Sequence, residues 1–157
     1  MNSQEYIKTV RSKFGRNATI RLDTQDLLIA YEEVFKWQWF ATKLKITSFV
    51  KQMPSVSLSD IESYSASCLK QAIKEKKGLP IGIQNGVVSF SVIVSENISS
   101  DAIIFVQNRP KKHFAAFEMP VLFVPKSSDL YFYQGDIVWG MLYVKFFREY
   151  ITSHFRP

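Results

Sequence analysis

The sequence predicts an α+β domain in which an antiparallel sheet of about five strands is packed by N-terminal helices and an aromatic-rich C-terminal helix. Three observations indicate this class. Residues 58–77 carry a helical stripe of apolar side chains, residues 81–133 change to a period of two, and residues 137–154 return to helical spacing. The chain of 157 residues has no internal repeat and no clear linker, so we expect one domain over residues 1–157.

The N-terminal region is predicted to be helical. Apolar residues at helical spacing indicate a short first helix that ends at Gly15, and Asp23 or Thr24 is placed to cap a second helix that runs to Phe35. Residues 36–53 then fit either a strand or a continued helix. A helix is favoured because the apolar stripe is long and no turn residue interrupts it.

The helix over residues 58–77 has the clearest boundaries. Ser57 is placed to cap its N-terminus, with Asp60 at the position that completes a capping box. Gly78 and Pro80 follow the helix. They end it, because glycine readily adopts the left-handed conformation of a helix C-cap and proline cannot continue a helix.

A β-meander is predicted to follow this helix. Asn85-Gly86 is typical of a type I′ hairpin turn, because both turn positions require a positive φ. Pro120 and Pro125 bound a short apolar run, and proline suits strand ends because it donates no ladder hydrogen bond. The expected strands cover residues 81–84, 87–95, 102–107, 121–124 and 130–133.

The last helix is predicted over residues 137–154, with Asp136 as its N-cap. A stripe of large side chains is expected to face the sheet and to be buried, since one large aromatic side chain can bury ~150–250 Å². The stripe consists of Trp139, Leu142, Tyr143, Phe146, Phe147, Tyr150 and Ile151.

The net charge of +6 is unevenly distributed. Residues 1–21 carry five Lys or Arg and one acid, residues 22–35 carry four acids and no base, and residues 36–51 carry four Lys and no acid. Such blocks can pair with each other when neighbouring elements fold back. We therefore expect most of the surplus to be used within the molecule.

No catalytic residue, metal site or cofactor is predicted. One Cys and two His lie far apart, at Cys68, His113 and His154, which excludes a structural zinc site. The nucleophile elbow of hydrolases and the glycine-rich phosphate loops are missing, so an enzyme ranks below a binding protein. A single Cys and the lack of a ~20-residue apolar run predict a cytoplasmic protein with no transmembrane segment.

Two segments are candidates for partner binding. The first is a cationic loop beside aromatic residues, for which we expect a protein partner: Arg109, Lys111, Lys112, His113, Phe117, Tyr131, Tyr133 and Trp139. The second interleaves aromatic and basic side chains, as sites for single-stranded nucleic acid do: Phe35, Lys36, Trp37, Trp39, Lys43 and Lys45.

The leading hypothesis for function is a non-catalytic protein-binding or adaptor module. The chain has 13 Phe, 7 Tyr and 3 Trp, more than a core of this size usually needs. Some aromatic surface is therefore expected to face a protein partner or a second copy of the chain. The alternative is a nucleic-acid-binding domain that uses Trp37, Trp39 and the Lys cluster of residues 36–51, and the third is an enzyme whose active-site residues are distant in sequence.

Overall fold

The computed structural model describes residues 1–36, 42–75, 85–111, 113–135 and 141–157. Over these ranges the elements are α1 Ser3–Lys13, β1 Thr19–Asp23, β2 Leu27–Lys36, β3 Thr42–Gln52, α2 Leu58–Glu75, β4 Asn85–Val94, α3 Ser100–Gln107, β5 Ala116–Val124, β6 Asp129–Tyr131 and α4 Met141–Phe155. None of these helices is long and apolar enough to span a membrane.

The six strands of the described residues form one sheet in the order β1-β2-β3-β4-β5-β6. β1, β2 and β3 pair antiparallel, β4 runs parallel to both β3 and β5, and β6 returns antiparallel to β5. The α+β class is therefore confirmed. The predicted five-stranded antiparallel meander is wrong, because α2 and α3 each connect two parallel strands and the sheet is mixed.

Helices cover both faces of this sheet. α1 and α4 pack on one face, and α2 and α3 pack on the other. All ten residues of β4 are buried, which is typical of a parallel strand with helices on both sides. Two serines of β4, Ser89 and Ser91, are consequently enclosed, and the Ser91 hydroxyl donates to the Ser65 hydroxyl of α2 at 3.0 Å.

The part of the predicted stripe from Tyr143 to Ile151 is buried in the core or packs against it, as predicted, while Trp139 and the side chain of Leu142 lie outside what the structure describes. Phe147 is fully buried and contacts Phe90 edge to face, with 5.9 Å between ring centroids, and Phe90 also stacks on Tyr150 at 4.6 Å. α1 packs beside α4, and the buried Tyr6 hydroxyl donates to the carbonyl of Phe155 at 2.6 Å. The core thus uses much of the aromatic content of the chain.

The predicted helices over residues 24–35 and 36–53 are wrong. This region forms the antiparallel pair β2–β3, from Leu27 opposite Lys51 to Lys36 opposite Thr42. Each strand gains a second neighbour, β1 beside β2 and β4 beside β3, from parts of the chain outside this region. Strand pairing and burial therefore outweigh the helical spacing of the apolar residues.

Antiparallel pairing also brings the charge blocks together, as expected. Lys43 Nζ lies 3.4 Å from Glu33 Oε2 across β2 and β3. The first basic block also reaches the acidic block, because Arg11 Nε on α1 lies 3.0 Å from Asp23 Oδ2 on β1. Part of the positive surplus is used in these pairs.

Asn85 and Gly86 do not form the predicted hairpin turn. They open β4 and pair in parallel with Lys43 and Leu44 of β3. The expected first strand of that hairpin, residues 81–84, lies outside the described residues. The dipeptide alone favours a turn, but here its pairing with β3 makes it part of a strand.

The predicted strand over residues 102–107 is also wrong, because this segment belongs to α3. Ser99 caps the helix, and its hydroxyl accepts the backbone N–H of Ala102 at 3.3 Å. Pro120 lies inside β5 rather than at its end. It is tolerated there because β6 pairs only with Leu122–Val124, so no described strand lies beside Pro120 on that side.

Three predicted helices are confirmed. α1 ends at Lys13, close to the expected Gly15, and α4 runs from Met141 to Phe155. α2 begins as predicted, since the Ser57 hydroxyl accepts the Asp60 N–H and the Asp60 carboxylate accepts the Ser57 N–H at 2.8 Å. The expected stop at Gly78 and Pro80 and the expected cap at Asp136 lie outside the described residues.

Candidate partner-binding surface

Residues 108–115 join α3 to β5 and carry the first predicted site. Ala115 has a φ of 50°, in the left-handed region that costs a residue with a Cβ energy. Its carbonyl accepts the Val87 N–H at 3.1 Å, and Ala116 then enters β5 as a buried residue. The turn leaves Phe114 outside the sheet, with 82% of its surface exposed.

Phe114 is the most exposed large apolar side chain of the described residues. Among the aromatic side chains whose exposure is described, only Phe35 and Phe114 are exposed. Burying such a ring on a partner would gain roughly 1.5–3 kcal/mol. Within the described residues, the aromatic surface expected from composition therefore reduces to these two positions.

A small cleft lies between α3 and β5, with a volume of about 50 Å³. Phe105 and Pro120 contribute apolar walls, whereas Arg109 and Lys111 are exposed at its rim. Neither rim cation makes an ion pair or hydrogen bond with any described residue. The full lining is Phe105, Asn108, Arg109, Pro110, Lys111, Glu118 and Pro120.

Glu118 lines this cleft from β5, and it is only 3% exposed. Its Oε2 lies 2.9 Å from His113 Nε2. A buried carboxylate is costly unless it is paired, so His113 offsets that cost and is itself tied to β5. Ser89 is the register neighbour of Glu118 on β4, and its buried hydroxyl has no hydrogen-bond partner in the described part of the chain.

Neither the thiol nor the serine hydroxyl nearest these groups is placed as a nucleophile. Burial raises the pKa of the Cys68 thiol to about 12, and the Glu118 charge adds to the increase, so Cys68 is a protonated thiol at neutral pH. Ser89 is fully buried and cannot meet a substrate. The cleft is also far smaller than the ~300–1,000 Å³ of typical small-molecule sites, so it suits part of one side chain.

The structure brings three residues of the first predicted set together. Arg109 and Lys111 line the cleft, and His113 bonds the carboxylate in it. Sequence reasoning missed Phe105, because its segment was expected to be a strand. It also left out Phe114, although an apolar ring inside a basic loop was a usable signal.

The other members of that set lie elsewhere. Phe117 points to the opposite face of the sheet, where it packs against aromatic side chains of α4. Tyr131 lies on the face covered by α3 and packs against the core there, while Tyr133 is half-buried after β6. Lys112 and Trp139 lie outside the described residues. The expected single patch is therefore divided between two faces.

The second predicted set lies on strands rather than on a helix. Phe35 and Lys43 are cross-strand partners on one face of the sheet, and Phe35 is 48% exposed. Lys45 shares that face but is buried beside Glu33. Hydrogen bonding from Tyr31 lowers the pKa of the Glu33 carboxyl, and Lys43 and Lys45 lower it further. Glu33 is thus an anion that offsets the charge of both lysines.

Lys36 is separated from this group, because it lies on the opposite face. Its Nζ is 4.7 Å from the ring centroid of Phe146, a cation–π contact with α4. Trp37 and Trp39 lie outside the described residues. The proposed stacking positions are therefore represented in the structure by Phe35.

A wider concavity of about 490 Å³ lies where α2 and α3 begin. Ser57 and Ser99 cap the two helices from their own chain, and Asp60 and Asp101 add negative charge to the first turns. The helix N-termini are thus already provided with acceptors, and this concavity shows no feature that indicates a ligand.

Comparisons with known proteins add no functional assignment: no family model, curated protein or solved structure matches this chain. Within the described ranges, no group of three His, Cys, Asp or Glu side chains is arranged to hold a metal ion. A functional hypothesis must therefore be built on the surface geometry.

Proposed function

We propose that this protein is a non-catalytic module that binds another protein through one surface. This α3–β5 surface consists of Phe105, Arg109, Lys111, Phe114 and Pro120. The exposed Phe114 ring, presented by a left-handed residue at the start of β5, is the observation that carries the proposal. Aromatic rings and arginines are among the residues that dominate protein interfaces.

The fixed position of this loop supports the proposal. The His113–Glu118 pair and the Ala115–Val87 hydrogen bond hold His113 and Ala115 against the sheet. A preorganised loop loses little conformational freedom on binding, which favours affinity. A cytoplasmic location belongs to the same proposal, and the single, free Cys68 supports it.

Selection of short random peptides on the protein tests this function. We expect enriched peptides whose affinity falls about tenfold or more in Phe114→Ala, as for a central interface residue. Leu22→Ala is the matched control, because it removes another exposed apolar side chain, on β1, and should leave binding unchanged. The proposal is wrong if no enriched peptide distinguishes Phe114→Ala from the wild type.

The partner can also be a second copy of the chain, and sedimentation at increasing protein concentration tests this arm. Self-association that disappears in Phe114→Ala but persists in Leu22→Ala would identify the α3–β5 surface as a homotypic interface. Self-association that Phe114→Ala leaves intact would place the contact elsewhere.

A second candidate function is binding of single-stranded nucleic acid by the pair β2–β3. It is favoured by one observation: residues 35–36 and 42–45 are strand residues, and Phe35 is exposed beside Lys43. Nearby, the Arg21 guanidinium lies 4.2 Å from the ring centroid of Tyr31, so planar and cationic groups share this face. The Glu33 carboxylate disfavours nucleic-acid binding, because its negative charge lies beside Lys43 and Lys45.

Fluorescence titration with single-stranded DNA or RNA at ~50 and ~200 mM salt tests this candidate. Binding would quench tryptophan fluorescence at the lower salt and weaken at the higher, and Phe35→Ala would reduce it. An unchanged tryptophan signal at ~50 mM salt would rule the candidate out.

A further inference from the structure

We infer that the α3–β5 surface recognises an acidic segment of the partner, in which Asp or Glu residues flank one small aliphatic side chain. This inference rests on the proposed function and names the partner chemistry of the same surface. Two observations support it: the positive charge at the rim of the cleft and the small size of the cleft.

The rim charge favours carboxylates. Arg109 and Lys111 are exposed and form no ion pair or hydrogen bond with any residue that the structure describes. By contrast, Arg11 and Lys43 each have a carboxylate within 3.4 Å. The acid that lines the cleft, Glu118, is buried and already bonded to His113. A partner that brings its own acids supplies the missing counter-charge and is steered to the rim.

The cleft limits the side chain that enters it. Its volume of about 50 Å³ is well below the ~150 Å³ cavity that accepts benzene. The cleft between Phe105 and Pro120 therefore favours a small aliphatic group over an aromatic ring. A lysine of the partner would have to pass Arg109 and Lys111 to reach the Glu118 carboxylate, which is already bonded to His113.

The two requirements together define the partner sequence. An aliphatic group in the cleft brings the neighbouring residues of the segment to the rim, where acids meet Arg109 and Lys111. The same segment, or the surface that carries it, covers Phe114. Acidic flanks supply specificity and on-rate, while the apolar contacts supply most of the affinity.

Labelled synthetic peptides test this inference on the full chain. The reference probe has a central Val between Asp residues, and its counterparts replace Val by Ala, replace Val by Phe, or replace every Asp by Lys. We expect binding of the Val and Ala probes and about tenfold weaker binding of the Phe probe. The Lys probe should not bind, and affinity for the Asp probes should fall between ~50 and ~200 mM salt.

Charge reversal provides the matched pair of variants. R109E/K111E should no longer bind the Asp probes and should bind the Lys probe instead. K8E/K145E changes the net charge by the same amount, at positions on α1 and α4, and should bind the probes like the wild type. All four positions are exposed, and thermal melts verify that both variants fold.

The outcomes separate this inference from the proposed function. Selected peptides that depend on Phe114 but carry Lys or a central aromatic residue would overturn the acidic-segment inference and leave the protein-binding function standing. A lack of any Phe114-dependent peptide would overturn both. Equal loss of the Asp probes in R109E/K111E and K8E/K145E would show that net charge, not the rim, attracts them, and would also overturn the inference.

Discussion

Replacing His113 by Ala should destabilise the protein, because it leaves the Glu118 carboxylate buried without its partner. The Glu118 side chain is 4% exposed and that of His113 is 35% exposed. Breaking a fully buried charged pair costs ~3–5 kcal/mol. Because His113 is partly exposed, water can enter the space it leaves and solvate the carboxylate in part. We therefore expect a loss of ~1–3 kcal/mol.

Glu118→Gln separates the cost of the buried charge from the cost of lost packing. Glutamine keeps the shape of Glu118 but carries no charge, so H113A/E118Q should be more stable than His113→Ala alone. Urea unfolding at neutral pH measures the free energy of unfolding of both variants. In thermal melts, a difference of 1 kcal/mol would shift the melting temperature by ~2–4 °C in a chain of this size. The reasoning is refuted if H113A/E118Q is no more stable than His113→Ala.

Three further predictions test the packing. Phe147→Ala should lower the free energy of unfolding by ~3–5 kcal/mol because Phe147 is fully buried. Phe146→Ala should lower it less, because Phe146 is half-buried. Equal melting temperatures of the two variants by circular dichroism would contradict the placement of α4. Ser57 lowers the pKa of Asp60 by hydrogen bonding, so the stabilising charge of Asp60 is fully present above its ordinary pKa of 3.8 and is lost as the pH falls through the lowered value. The stability deficit of Ser57→Ala should therefore shrink in acid, and melts at several pH values that show a constant deficit would argue against the capping box. Cys68 should resist iodoacetamide until the protein unfolds, since burial raises the pKa of its thiol to about 12, and full labelling of the native protein would place the thiol at the surface.

The elements that the sequence predicted correctly are those whose signals are local. Ser57 and Asp60 mark the start of α2 within four residues of chain, and the aromatic spacing of α4 reports one helix face. Such signals depend on contacts between near neighbours. They therefore predict the element correctly regardless of the tertiary contacts that the rest of the chain makes.

The incorrect elements depend on partners that are distant in sequence. β2 and β3 are strands because β1 and β4 pair with their outer edges, and no local pattern reports those neighbours. α3 contains the run Ile103–Val106, whose β-branched and aromatic residues favour a strand. Its helical form follows from the Ser99 cap and from the connection that it makes between parallel strands.

The candidate site was predicted in part for the same reason. Arg109, Lys111 and His113 are close in sequence, and the structure keeps them close. Phe117 and Glu118 are also neighbours in sequence, but alternation along β5 sends them to opposite faces of the sheet. Only the strand register shows that Glu118 meets the cleft and that Phe117 meets α4.

The structure changes which part of the +6 charge matters for a partner. Most of the surplus lies in the N-terminal half of the sequence, yet two of its bases, Arg11 and Lys43, are paired with acids of the same chain. Exposed ion pairs contribute only ~0–1 kcal/mol to stability, so their main effect is to neutralise those positions. Arg109 and Lys111 have no such partners among the described residues. Other exposed cations, such as Arg16 and Lys126, also have no ion pair among the described residues, but Arg109 and Lys111 lie at the rim of the α3–β5 cleft. A partner of that cleft that is attracted by charge should therefore meet these two residues, in the half of the sequence that looks nearly neutral.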